Sequence, residues 1–111
     1  MVDDRDAFRL TTVELLSSFG FTVESARSAA VALLLFDPNT HDVVVTDNSM
    51  PGMSGAEMAH IIKLRSPTTP VLMYTAHPPE DKSCLDLVIQ KPAPALALKQ
   101  GVEMLLADKP S

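Results

Sequence analysis

Val43-Val44-Val45-Thr46-Asp47-Asn48-Ser49-Met50-Pro51-Gly52-Met53-Ser54-Gly55 decides the fold of this chain. Three consecutive β-branched residues favour an extended backbone. A continuous apolar run, with no polar alternation, fits a strand covered on both faces, as strands of parallel sheets are. The run stops at Thr46-Asp47, and two glycines and a proline then hold the chain in a loop. Ser54-Gly55-Ala56-Glu57 has the spacing of a capping box, in which the serine hydroxyl and the glutamate carboxylate satisfy the first free N–H groups of a helix. Met58, Ile61 and Ile62 give that helix an apolar stripe. A buried strand, a loop with an acid at its mouth and a helix make one unit of an α/β fold.

The flanking sequence repeats the alternation. Upstream, Phe8, Leu15 and Phe19 recur at helical intervals between Ala7 and Phe19, with Val13 and Leu16 beside them, and Gly20 marks the end. Phe21 to Ala26 alternates as a short half-exposed strand. Ser28 can cap the next helix, which stops near Asp37-Pro38-Asn39 because Pro38 disfavours α geometry at Asp37. Downstream, Pro70 to Tyr74 and Leu85 to Gln90 read as strands, while His77 to Ser83 is polar, contains two prolines and holds at most one helical turn. Pro94 can open a last helix with Leu98, Val102 and Leu105 on one face, despite the cost of Gly101. Strands alternating with helices predict parallel pairing through right-handed crossovers, hence an open doubly wound α/β sheet.

Composition narrows the function. At 111 residues the chain is one domain, with 46% hydrophobic residues to fill one modest core. Its net charge of −5, without a cluster of Lys and Arg, argues against a nucleic-acid partner. The single cysteine, Cys84, makes no internal disulfide and reads as a buried or half-buried small residue. The first residues, Met1-Val2-Asp3-Asp4-Arg5-Asp6, have neither the basic nor the apolar region of a signal peptide. The longest apolar run, Ala29 to Phe36, is eight residues and too short for a bilayer. The expectation is a cytoplasmic domain that makes no membrane contact. His41, His60 and His77 lie in different elements without zinc-ligand spacing, and Met50, Met53, Met58 and Met73 read as loop and core filling.

Ligands of open α/β sheets sit beyond the carboxyl ends of the strands. The polar residues expected there are Asp3 and Asp4, Asp47, Thr75 and Lys91. Each has an ordinary reading: a solvated terminal pair, a turn cap, a strand end, a turn before Pro92. Together they fall on one rim. Three carboxylates meeting there repel one another and need a cation, and an all-oxygen, water-accessible set suits Mg²⁺ better than a full Ca²⁺ cage. An ammonium and a hydroxyl facing the same carboxylate make a place for an oxyanion such as a phosphoryl group.

Asp3-Asp4, the D-x-x-M-P-G-M-x-G stretch from Asp47 to Gly55, Tyr74-Thr75-Ala76 and Lys91-Pro92 resemble the receiver domain of two-component response regulators, in order and over nearly the whole chain. The resemblance implies a flavodoxin-like five-stranded parallel sheet of order 2-1-3-4-5, with residues 1–107 as the receiver domain and 108–111 as a frayed tail. It implies that Asp47 accepts a phosphoryl group from a histidine kinase or phosphotransfer protein, the chain catalysing only its own phosphorylation and dephosphorylation. Mg²⁺ would be held by Asp3, Asp4, Asp47 and the Ser49 backbone carbonyl. Thr75 would bond the phosphoryl group and Lys91 would pair with Asp47 or with that group. Ala76 would leave access, Ser49 and His77 would tune hydrolysis, and Pro92 would follow a cis peptide bond. An output protein or a second copy of the chain would read the switched surface.

Three departures from the family pattern stand out. Only Met1 and Val2 precede Asp3, so the first strand is curtailed or continues upstream. Arg5 follows the acid pair where the family usually carries an acid, which weakens the ion site. The span from Thr75 to Lys91 is short, so the fourth helix is reduced to a turn, and Val88 stands where a switching aromatic is common. The altered face admits a second reading, a degenerate receiver that docks or dimerises without phosphorylation. A flavodoxin-like electron carrier lacks its aromatic walls here, with no Trp and one Tyr, and a haloacid-dehalogenase-type phosphatase lacks a second Asp at Ser49.

Overall fold

The structure, a computed structural model, describes residues 1–108. Helix α1 spans Asp6–Ser18, α2 Ala29–Leu35, strand β1 Val44–Thr46, α3 Gly55–Arg65, β2 Val71–Thr75, β3 Leu87–Gln90 and α4 Ala95–Asp108. The three strands are parallel, in the order β1-β2-β3. Beyond β1 the sheet continues only as isolated parallel bridges, Thr46 to Val2 and Val2 to Ala26. Read across, the spatial order is the expected 2-1-3-4-5, with its first two members reduced to one residue each.

One expectation is thereby corrected. Phe21 to Ala26 is not a strand: Ala26 alone bridges, because its neighbour offers little more than Val2 to pair with. Val2 donates to the Val45 carbonyl and accepts from Asp47, while the Met1 carbonyl and the Asp3 amide serve Ala26. Among the described residues the first strand is represented by Val2 alone, and Ala26 is the residue that bridges to it on its other side. Between β2 and β3 the chain forms turns and bends with no helix at all, so the shortening of the fourth helix is complete.

Local signals act as expected elsewhere. Ser28 Oγ accepts from the Val31 amide, and Ser54 and Glu57 form both halves of the capping box. The strands split their side chains between two layers, as the period of two requires. Val44 and Val71 pack with Ala29, Met58, Ala59 and Ile62 of α2 and α3. Val45 and Leu72 pack with Leu16 of α1 and with Leu98, Val102 and Leu105 of α4.

Gly101 is explained by the fit of α4 on the sheet, since a Cβ there would sit 2.9 Å from Leu87 Cδ2 and 3.1 Å from Leu72 Cδ1. Phe8 departs from its expected apolar stripe and is 51% exposed. Cys84 is half-buried, its Sγ 3.2 Å from His60 Nδ1. The boundary expected at residue 107 falls in the last turn of α4, and the fraying expected of Lys109 to Ser111 lies outside the described residues. No helix among the described residues is long and apolar enough to cross a membrane.

Candidate functional site

The carboxyl ends of the strands gather the expected rim. Asp3 follows the bridging Val2, Asp47 follows β1, Thr75 ends β2 and Lys91 follows β3. Asp3 is fully buried and Asp47 is 2% exposed. One carboxylate oxygen from each of Asp3, Asp4 and Asp47 lies within 4.8 Å of the others. Carboxylates buried this close need a counter-charge.

Part of it comes from Arg5. Its Nη2 donates to Asp47 Oδ2 at 2.8 Å, and its Nε lies 3.5 Å from Asp3 Oδ1. The other oxygen of Asp47, Oδ1, accepts from the Asn48 amide at 2.7 Å. Asp3 Oδ1 also accepts from the Arg5 amide, holding the start of α1 against the site. Neutralisation is incomplete: Asp3 Oδ2 and Asp4 Oδ1 are buried without a donor. A hard cation fits such a donor set, because it needs oxygen ligands and no geometry that thiols or imidazoles would supply.

Lys91 is placed differently from the expectation. Its ammonium is buried, has no hydrogen-bond partner and lies over the rings of Tyr74, at 4.6 Å, and Phe8, at 5.5 Å. The Arg5 guanidinium stacks on the same Phe8 ring at 4.2 Å. In this structure the Asp47 carboxylate is paired with Arg5, and Lys91 is held on aromatic faces. The Lys91-Pro92 peptide bond is cis, as expected.

The loops around Asp47 are tied by backbone contacts. Gly55 donates to the Asn48 carbonyl, and a Cβ on Gly55 would collide with the Asp47 carbonyl oxygen, so glycine is required there. Asn48 Nδ2 donates to the His77 carbonyl and its Oδ1 accepts from the Ala56 amide. Thr75 is buried and its Oγ1 accepts from the His77 amide at 3.2 Å, which leaves the hydroxyl proton available to a further acceptor. Ser49, Ala76 and His77 are exposed.

Sequence reasoning found every acid of the cluster but missed the pairing of Arg5, the aromatic seat of Lys91 and the bridging by Asn48. A signal for the first was present: a cation adjoining two acids that need neutralising.

A family model described as the response regulator receiver domain matches residues 1–102. The chemotaxis protein CheY of Pseudomonas aeruginosa is 31% identical over 95% of this chain and 92% of its own length. The DNA-binding transcriptional regulator NtrC of Escherichia coli is 35% identical over 69% of this chain but only 16% of NtrC, so the chain spans about a sixth of that regulator. Among solved structures, a response regulator receiver domain protein from Clostridium thermocellum has a TM-score of 0.91 at 28% identity, covering 97% of this chain and 92% of that one. The response regulator TrrA from Thermotoga maritima, in complex with Mg(2+)-BeF, has a TM-score of 0.87 at 28% identity and covers 94% of each chain.

Proposed function

The chain belongs to the receiver domain family of two-component response regulators, and we propose that Asp47 is its phosphoacceptor. The observation that carries this reading is the convergence of three carboxylates at the strand ends, two of them with buried oxygens that lack a donor. Receiver domains bind Mg²⁺ at an acidic pocket, and here Asp3, Asp4, Asp47 and the Ser49 carbonyl would hold it. Bound there, the ion supplies positive charge against the transferring phosphoryl group.

The chain's own groups do the rest. A carboxylate oxygen of Asp47 forms the bond to phosphorus as the phosphorus–nitrogen bond of a phosphohistidine breaks, and the imidazole leaves with the electron pair. Lys91 turns from the Tyr74 and Phe8 rings to the added negative charge, an exchange of a π face for a charged partner. Thr75, its hydroxyl proton uncommitted, donates to a phosphoryl oxygen. Small, exposed Ala76 leaves the approach open, and Ser49 and His77 flank the path of hydrolytic water. The donor would be a histidine kinase or phosphotransfer protein in the cytoplasm. The altered surface between β2 and β3 would be read by an output protein or a second copy.

Incubation with acetyl phosphate and MgCl₂, followed by intact mass, tests the reading. One added phosphoryl group on the native chain, absent from Asp47→Asn and absent with chelator, is the expected result. No gain at any Mg²⁺ concentration would overturn it in favour of a docking module that works without phosphate.

A further inference from the structure

We propose that Arg5 is a built-in competitor for the metal pocket: its guanidinium holds the acceptor oxygen that a divalent ion needs, so ion binding and the Arg5–Asp47 pair exclude one another. The proposal rests on the reading of this pocket as a divalent-ion site. Its basis is the oxygen inventory of Asp47. Oδ1 is committed to the Asn48 amide at 2.7 Å and Oδ2 to Arg5 Nη2 at 2.8 Å. An ion ligated by Asp47 must therefore share or take an oxygen that already has a partner, and the charged partner on a half-exposed side chain is the one that can be released. Asn48 N belongs to the loop fixed by Gly55 and is not free to withdraw.

The same guanidinium reaches the second carboxylate, Asp3, through Nε at 3.5 Å. One residue thus occupies two of the three candidate ligands. It leaves Asp3 Oδ2 and Asp4 Oδ1 unpartnered, so the pocket still attracts a cation even when Arg5 is in it. The Arg5 side chain is 44% exposed, which gives it a route to water, and its backbone precedes α1 and is anchored by its own amide on Asp3 Oδ1. The side chain can leave without disturbing the helix. Phe8, beneath the guanidinium at 4.2 Å, holds it in its seated position. Among the described residues no other cation is paired with Asp47, since Lys91 sits on aromatic faces. Arg5 is in this sense a positioning and selectivity residue: it sets the concentration of divalent ion at which the acceptor becomes competent.

The test compares the native chain with Arg5→Ala and Arg5→Gln by calorimetric titration with Mg²⁺ and by the loss of the free Mn²⁺ electron paramagnetic resonance signal. Removing a partly exposed, charge-assisted hydrogen bond from the competing state corresponds to roughly tenfold tighter binding in both variants. In the native chain the Arg5 Nε–Hε resonance moves toward the position of an unpaired guanidinium as Mg²⁺ is added. Glutamine keeps much of the stem without the charge, so Arg5→Gln and the native-chain resonance decide the matter if the alanine variant does not fold. Equal or weaker ion affinity in Arg5→Gln, or an Arg5 resonance that stays put while Mg²⁺ binds, overturns the proposal. In that case Mg²⁺-dependent labelling of Asp47 by acetyl phosphate still stands as support for the acceptor reading. Absence of ion binding in all three chains overturns the proposal together with the metal reading of the pocket.

Discussion

The two flanks of β1 are built differently. On one side, β1, β2 and β3 pair in continuous register, Val44 to Val71, Val45 to Leu72 and Thr46 to Met73, then Leu72 to Leu87 through Thr75 to Gln90. On the other, among the described residues, Val2 makes two isolated bridges, one to Thr46 and one to Ala26. The laddered flank carries Asp47, Thr75 and Lys91, whereas the thin flank carries Asp3, Asp4 and Arg5. The site is therefore a seam between a part held by backbone hydrogen bonds and a part held by burial of Val2 and Ala26 and by charge. Backbone regularity and functional importance do not run together here. The thin flank is the part expected to open first, because few hydrogen bonds protect it.

Substitutions can probe that seam, beginning where both flanks meet. Gly55→Ala forces a methyl group onto the Asp47 backbone carbonyl, which cannot swing aside as a side chain would, and should destabilise the fold by about 3 kcal/mol in urea denaturation. Val2→Ala removes the buried link of the thin flank and should cost about 2 kcal/mol. Hydrogen exchange would sharpen the contrast: the amides of Asp3, Ala26 and Asp47 should lose protection while those of β2 and β3 keep most of theirs. Equal loss on both flanks would show the seam to be one cooperative unit. Ser54→Ala acts wholly on the laddered side, removing half of the capping box at a cost of about 1 kcal/mol and leaving the Val2 bridges unaffected.

The smallest effect concerns the turns that replace a helix between β2 and β3. The Ser83 side chain and amide, with a lesser contribution from His60, hold the Asp81 carboxyl below its ordinary range. Because the folded-state value is the lower one, this contribution is complete above the ordinary carboxylate range and disappears as pH falls to the folded value. Carbon-13 titration of Asp81 should show the depression, and Ser83→Ala, which removes the hydroxyl but keeps the amide, should reverse part of it.

Much of this arrangement is legible in the residues. The Val43–Val45 run, the Ser54/Glu57 box and the Leu98, Val102 and Leu105 face specify elements by local rules, and those elements form. Strand ends followed by acids, a hydroxyl and an amine place the rim. What escaped is non-local. Phe21 to Ala26 alternates like a strand, yet a strand needs a partner of matching length, and Met1-Val2-Asp3 does not supply one. Arg5 reads as a substitution that weakens an ion site, but its reach to Asp47, 42 positions along the chain, appears only once the flanks are joined. Lys91 was expected on a carboxylate, and two aromatic rings from α1 and β2 compete for it.

One planar amide has a consequence for motion. Asn48 directly follows Asp47, and its two terminal atoms bond the His77 carbonyl and the Ala56 amide at the head of α3. Those two contacts share a rigid group, so displacement of the backbone at residue 77 turns the amide and pulls on the first turn of α3. The loop beside Thr75 and the head of α3 are thus joined by a strut one side chain long.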